Sequence, residues 1–149
     1  MHLRDLPLVD AWVSAHATLL DASRTLATRG VAAVAVLRPD RTVEGLFTDD
    51  DVLRGIFPPY LEELRHTAFA GDVGEAVESQ LGRSGGEPVG KHMRQPITVE
   101  LEASGLHVAE RFLHCPWGAI AVVDGGRFVG MLAQVDFVAR ALDEAQARP

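Results

Sequence analysis

Residues 45–57 read GLFTDDDVLRGIF, where an apolar, strand-like run passes through Thr48 into a run with helical spacing. The change of period at this threonine predicts a junction between a strand and a helix. The three aspartates suit the first turn of that helix because carboxylates complement its exposed N–H groups. Thr48 and Asp51 also match a capping box, in which a hydroxyl and a carboxylate bind the amides at a helix start. A helix cap and a ligand site are therefore both open interpretations of this stretch.

A second stretch repeats this pattern later in the chain. Residues 130–142 read GMLAQVDFVARAL, so Gly130 and Asp136 follow Gly45 and Asp51 by 85 positions. Similarity at a fixed spacing predicts an internal duplication. One copy alone would expose an apolar sheet face, so we expect the two copies to pack together.

The same order of elements leads into both stretches. Each copy begins with an extended segment and continues as helix, strand, turn, strand and helix. The first copy has these elements at 10–15, 19–29, 31–37, 42–47 and 49–57, and the second at 95–100, 104–114, 118–124, 127–132 and 135–142. Gly30 is expected to cap the end of the first helix.

The duplication divides the chain into three predicted parts. The first repeat takes residues 1–57, a helical connector takes 58–88, and the second repeat takes 89–149. The connector sequence predicts two short helices, at 60–69 and 73–81, followed by a glycine-rich turn.

Composition disfavours several classes of function. The chain has 149 residues, 47% of them hydrophobic and 23% charged, and a formal net charge of −7. A negative chain without a basic stripe is not expected to bind nucleic acid. No apolar run approaches the roughly 20 residues of a transmembrane helix, and no signal-peptide core is visible, so no membrane partner is expected. The single cysteine, Cys115, cannot form an internal disulfide, which favours a reducing, cytoplasmic location.

Two motifs of the chain resemble those of a known family. IAVVD at 120–124 is similar to a mid-strand pattern of the cystathionine β-synthase (CBS) domain, with Ala121 in place of a proline. GLFTDDD at 45–51 matches the family's glycine, two apolar residues, threonine or serine, two residues and aspartate. The chain resembles a CBS domain pair over about residues 3–57 and 89–142. The resemblance implies an α/β (α+β) fold, with two β-α-β-β-α repeats packed about a pseudo-twofold axis.

The resemblance also implies a ligand. In such domains an adenosine nucleotide often lies in a cleft between the sheet and the last helix. By resemblance, Thr48 and Asp51 would hold ribose and phosphate, and Val13 and Val34 would flank the base. Asp136 matches the aspartate in the second repeat, but an alanine replaces the hydroxyl, so the first repeat is the expected site. AMP, ADP, ATP and S-adenosylmethionine remain open as ligands, and no cofactor is required.

Charged residues near the junction have two interpretations. Asp49 and Asp50 would repel a phosphate unless Mg²⁺ bridges them or they point to solvent, and we favour solvent. Arg54, one turn beyond Asp51, could bind a phosphate, but a solvated side chain or an intramolecular ion pair is favoured.

The remaining polar and aromatic residues predict no active site. His107, His114 and Cys115 are close in sequence, but they lack the converging ligands of a metal site. No base accompanies the cysteine as nucleophilic catalysis requires, so we expect a buried structural thiol. Trp12 could stack on a base, although packing in the core or a dimer interface is favoured. No catalytic residue and no metal ligand is predicted, and the chain is not expected to be an enzyme.

The resemblance implies a regulatory, ligand-sensing module. It would bind an adenosine-containing ligand mainly at the first repeat and pass the signal to an effector protein that the sequence does not identify. The alternative is a non-catalytic dimerisation or protein-interaction module whose nucleotide sites have decayed. In either case we expect a homodimer, with contacts from the apolar helices VLRGIF (52–57) and FVARAL (137–142).

Overall fold

Each repeat folds into a three-stranded sheet with two helices. The computed structural model describes residues 1–59, 61 and 71–149. The elements are β1 (Trp12–Ser14), α1 (Leu19–Arg29), β2 (Ala33–Leu37), β3 (Val43–Thr48), α2 (Asp49–Ile56), α3 (Val73–Ser84), β4 (Thr98–Glu100), α4 (Gly105–Leu113), β5 (Ala119–Asp124), β6 (Arg127–Ala133) and α5 (Gln134–Gln146). In both sheets the first strand runs parallel to the second, and the second runs antiparallel to the third. The predicted mixed α/β fold of two β-α-β-β-α repeats is confirmed.

Local capping chemistry sets the limits of α1. Thr18 precedes the helix, and its hydroxyl accepts a hydrogen bond from the Asp21 backbone N–H at 3.2 Å. Gly30 ends the helix in the left-handed conformation with φ of 65°, which a residue without Cβ adopts at little energetic cost. The predicted helix limits and the predicted cap are both confirmed.

The connector and the last helix differ in length from their predictions. α3 continues to Ser84, three residues beyond the predicted end, and the Ser84 hydroxyl donates to the Gly55 carbonyl at 3.1 Å. This tertiary contact holds the first part of the predicted turn in helical form. α5 continues to Gln146, because no proline or glycine interrupts residues 137–146. The helix predicted at 60–69 lies, apart from residue 61, outside the described residues.

The two sheets face each other through small side chains. Ala33 and Ala35 on β2 share one buried cluster with Ala119 and Ala121 on β5. Side chains alternate between the two faces of a strand, so the intervening residues point toward the helices. The alanines let the two sheets approach closely.

The other face of each sheet is covered by its own helices. The second repeat buries the strand residues Val99, Ile120, Val122 and Leu132 with the helix residues Val108, Phe112 and Phe137. Burial of one such side chain stabilises the fold by about 1.5–3 kcal/mol. The apolar strands recognised in the sequence are therefore covered on both faces.

Each sheet is extended by the segment that precedes the first strand of the other repeat. Val9, ahead of β1, pairs with Met131 on β6 through backbone hydrogen bonds of 2.9 and 2.7 Å. Reciprocally, Arg94, ahead of β4, pairs with Leu46 on β3 through bonds of 2.7 and 3.0 Å. The two repeats are thus joined by an exchange of backbone segments as well as by apolar contact.

Two glycines provide the space for this exchange. A Cβ added at Gly45 would lie 2.6 Å from Met93 Sδ and 2.8 Å from the Arg94 carbonyl oxygen. A Cβ added at Gly130 would lie 2.8 Å from Leu8 Cβ. Packed side chains do not approach so closely without displacing their neighbours. The glycine pair found by its 85-residue spacing therefore marks the two crossing points.

We predict that Gly45→Ala lowers the free energy of unfolding by about 1–3 kcal/mol, because the new methyl group overlaps the crossing segment. Urea unfolding followed by circular dichroism measures this change. Gly82→Ala is the matched control, since a Cβ at this exposed helical glycine meets nothing within 4 Å, and it should stabilise α3 by about 0.5–1 kcal/mol. Equal effects of the two substitutions would contradict the crossing as the reason for Gly45.

Candidate functional site

Thr48 and Asp51 form a complete capping box at the start of α2. The Thr48 N–H and hydroxyl donate to Asp51 Oδ2 at 3.0 and 2.8 Å, and the Asp51 N–H donates to Thr48 Oγ1 at 3.1 Å. Thr48 is fully buried, and Asp51 is 6% exposed. The helix-cap interpretation of this stretch is confirmed, and it leaves one carboxylate oxygen of Asp51 for another partner.

That second oxygen is bound by Arg94. Arg94 Nε donates to Asp51 Oδ1 at 2.9 Å, and Nη2 of the same side chain contacts Asp50 Oδ2 at 3.1 Å. The Arg94 guanidinium also lies over the Trp117 ring, with its carbon 5.4 Å from the ring centroid. A buried carboxylate is expensive without a charged or hydrogen-bonding partner, and Arg94 is the cationic partner here.

Asp50 takes part in the same network. Arg54 Nε donates to Asp50 Oδ2 at 2.9 Å. This hydrogen bond, more than the nearby charges of Arg54 and Arg94, holds the pKa of Asp50 below its usual value. The expected ion pair of Arg54 is confirmed. The Asp50 side chain is 47% exposed, so it faces solvent as expected, and two arginines bind it there. Asp49 is exposed, as expected.

The structure does not bring the two valines next to the cap threonine. Val13 pairs with Val36, and Val34 is two residues from Val36, so both lie on the face toward the helices. Thr48 pairs with Ala33, which places it on the opposite face. Val13 and Val34 are buried in the core of the first repeat. Their contact with a base stays a prediction that would require this core to open.

Cavities of useful size lie away from the cap. Four surface cavities among the described residues have volumes of about 400 to 610 Å³. The largest of the four runs along α2, and Asp50 and Arg54 form part of its wall. None of the four is lined by Thr48, Asp51 or the two valines. Both carboxylate oxygens of Asp51 already accept hydrogen bonds from protein groups, so a ligand at this carboxylate would compete with them.

The equivalent junction in the second repeat has neither a side-chain cap nor, within the described ranges, an arginine bound to its aspartate. Ala133 precedes α5 and provides no side-chain cap. Asp136 is half-buried and has no hydrogen-bond or ion-pair partner among the residues that the structure describes. Arg140, one turn further on, pairs with Glu144 at 3.4 Å. The difference between the repeats that the sequence shows at one position thus extends to the whole junction.

Sequence reasoning missed Arg94 and Trp117. Neither belongs to the repeated motif, and they lie 43 and 66 positions after Asp51. Their proximity depends on the exchanged backbone segments, which no local pattern predicts. The only available signal was a single arginine directly ahead of the extended segment at 95–100.

The other candidate groups form no second site in the described part of the chain. Cys115 is buried and free, and its thiol lies 3.5 Å from the Ala119 carbonyl oxygen, as a structural thiol would. No group of three or more histidine, cysteine, aspartate or glutamate side chains there could hold a metal ion. No helix there is long and apolar enough to cross a membrane. Trp12 is 38% exposed and carries Arg41 over its ring at 5.3 Å.

Comparison with protein-family models assigns the two repeats. The CBS domain model matches residues 3–57 and again residues 89–143. The chain belongs to the CBS domain family. Its two matched segments carry the two sheets, so the chain is a CBS pair. No curated protein matched the chain.

Solved structures of CBS proteins share this architecture. A CBS domain-containing protein from Kribbella flavida aligns with a TM-score of 0.75 at 17% identity, over 95% of this chain and 99% of its own. CBSX2, a CBS-pair protein from Arabidopsis thaliana, aligns with a TM-score of 0.73 at 19% identity, over 98% and 96%. A structure of CBSX2 in complex with AMP aligns with a TM-score of 0.62 at 21% identity, over 95% and 91%. At these identities the likeness shows the fold alone.

We predict that Thr48→Ala destabilises the chain by about 1–2 kcal/mol, because it removes the cap and leaves Asp51 Oδ2 with one bond fewer. Thermal or urea unfolding measures the loss. Thr48→Ser, which keeps the hydroxyl, should recover most of the stability. Thr28→Ala, at an exposed residue near the end of α1, should change little, and an equal loss there would contradict the capping role.

The reciprocal substitution tests the same interaction in the second repeat. Ala133→Thr places a hydroxyl three residues before Asp136 and should stabilise α5 by about 0.5–1 kcal/mol. The measurement is again the unfolding midpoint in urea. A destabilisation would show that the half-buried Ala133 position has no room for the hydroxyl.

Proposed function

We propose that this CBS pair is a regulatory sensor of an adenosine-containing ligand, with its main site at the first repeat. The observation that carries the proposal is the buried Asp51 carboxylate at the start of α2, which binds Arg94 at a contact between the repeats, where Arg94 also lies over the Trp117 ring. The complex of CBSX2 with AMP supports an adenosine ligand for a protein of this fold. The parts of the sensor would be repeat 1 (1–57), the connector (58–88) and repeat 2 (89–149).

The groups at this junction suit ribose and phosphate. A carboxylate oxygen accepts hydrogen bonds from ribose hydroxyls, and Asp51 Oδ1 is the oxygen not used by the cap. The partial positive charge of the helix dipole at the start of α2 favours an anion nearby. Arg54 and Arg94 offset the charge of Asp50, so a phosphate nearby does not require Mg²⁺.

The sensor would act through another protein. Ligand binding at the first repeat would alter the contact between α2 and the segment ahead of β4, since Asp51 and Arg94 lie on these two elements. A partner that recognises this contact would then read the ligand state. We further propose that this takes place in the cytoplasm, where the single buried thiol of Cys115 stays reduced.

A second candidate function is a protein-interaction module without a ligand. It is favoured by the full occupation of Asp51 by protein groups and by the missing hydroxyl at Ala133. In this case the network around Asp51 would only fasten the two repeats to each other. Ligand titration separates the two functions.

We expect calorimetric titration with AMP, ADP, ATP and S-adenosylmethionine, with and without Mg²⁺, to show one compound binding at about one per chain. Asp51→Asn should weaken this binding at least tenfold, because the ribose loses a charged acceptor. Asp136→Asn is the matched control in the second repeat and should bind like the unchanged protein. Circular dichroism melting checks that both variants are folded. Absence of binding by all four compounds would overturn the sensor function and favour the interaction module.

We also propose a homodimer formed through the exposed face of α5. Val135, Val138 and Leu142 recur at helical spacing and are 72%, 45% and 58% exposed. Leu53, on the equivalent helix of the first repeat, is 56% exposed. Exposed apolar stripes of this kind are more typical of interfaces than of free surfaces.

We predict that Val135→Glu combined with Leu142→Glu converts the dimer to a monomer, because the charges would be buried without partners. Sedimentation velocity at several concentrations measures the change. Val73→Glu is the control, since Val73 is equally exposed but lies at the start of α3. A monomeric unchanged protein, or an unaffected dimer in the double variant, would contradict this interface.

A further inference from the structure

The Arg94 side chain lies between two groups that would also recognise a nucleoside. Its guanidinium donates to Asp51 on one side and lies over the Trp117 ring on the other. A planar guanidinium can use its edge for a carboxylate and its face for an aromatic ring at the same time. A nucleoside uses the same two features, since its ribose hydroxyls donate to carboxylates and its base stacks on aromatic rings.

These three residues come from separate parts of the chain. Asp51 belongs to α2 of the first repeat, Arg94 precedes β4, and Trp117 lies in the loop between α4 and β5 of the second repeat. Trp117 packs against the buried clusters of both repeats. The aromatic face and the carboxylate thus contact the same guanidinium only because the repeats are packed together.

We propose that Trp117 is the base-stacking surface of the first-repeat site, and that Arg94 is an internal occupant that an adenosine ligand must displace. This inference rests on the sensor function proposed above and specifies how its site is regulated. The ligand replaces Arg94 at Asp51 Oδ1, because Oδ2 remains bound to Thr48 within the cap. The ligand therefore competes with one side chain and leaves the start of α2 intact.

The exchange can occur without breaking the backbone crossing. The Arg94 backbone is held to Leu46 by two hydrogen bonds, whereas its side chain is held by polar contacts and is 33% exposed. The freed guanidinium would still lie near Asp50 and could follow the ligand phosphate toward solvent. Displacement changes the link between α2 and the second repeat, which is the change that a partner protein would detect.

The second repeat contains no such occupant. Val9 pairs with Met131 as Arg94 pairs with Leu46, so a valine stands where the arginine stands in the first repeat. Val31 precedes Trp117 by 86 positions and takes the place of the tryptophan. Asp136 accordingly has no cationic partner among the described residues. In the described part of the chain, an arginine that occupies the site is therefore present in the first repeat alone.

The test compares the affinity of AMP, ADP, ATP and S-adenosylmethionine for the unchanged protein and for Arg94→Ala. Removal of the occupant should tighten binding by about tenfold to a hundredfold, the factor that a hydrogen bond to a charged group represents. Arg41→Ala is the matched control, since Arg41 also lies over a tryptophan but sits at the opposite end of β3 from Asp51. Its affinity should not change.

A second readout works in a chain that keeps Arg94. Trp12→Phe leaves Trp117 as the only tryptophan, and ligand binding should then change its fluorescence. Trp117→Leu, which keeps apolar bulk without the aromatic face, should weaken binding at least tenfold.

The outcomes separate the two proposals. Binding that depends on Asp51 but is equal or weaker in Arg94→Ala, or that leaves Trp117 fluorescence unchanged, overturns this inference and leaves the sensor function standing. Binding that is tighter in Arg94→Ala than in the unchanged protein supports it. If neither protein binds any of the four compounds, both the sensor function and this inference fall.

Discussion

The reciprocal crossing of backbone segments is the constraint on which the rest of this CBS pair depends. Val9 completes the second sheet and Arg94 completes the first, and each crosses directly over a glycine. Backbone hydrogen bonds fix the register of these segments, and the small glycine surface lets them approach. The alanine-rich sheet faces can then pack together. The absence of a side chain at Gly45 and Gly130 thus determines how the repeats pack against each other.

The same crossing creates the electrostatic network at the candidate site. Arg94 reaches Asp51 because its backbone is paired with β3, directly ahead of α2. Burial of a carboxylate that is 6% exposed costs free energy unless a charged or hydrogen-bonding partner offsets it. In the second repeat a valine takes the crossing position, and the cap threonine is absent as well. Pseudo-symmetric backbones therefore carry two chemically different junctions.

Much of the fold could be predicted because its signals are local. Leu19 to Arg29 form a helix with a glycine cap because spacing and backbone preference agree over neighbouring residues. The Thr48–Asp51 cap could also be predicted, since its two members are three residues apart. The length of α3 was missed, because the Ser84 contact with Gly55 spans 29 positions. Strand alternation puts Val13 and Val34 on the face opposite to Thr48, and their contact with a base stays a prediction.

The sequence by itself determined the duplication, the order of elements, the paired glycines and the helix cap. Each of these follows from the period of apolar residues or from groups within one turn of each other. Only the tertiary structure decided that Asp51 is held by Arg94, that Trp117 covers this arginine, and that Asp136 lacks a counterpart to either. The physical reason is that contacts between distant segments depend on how the sheets and crossing strands pack. No local pattern encodes that arrangement.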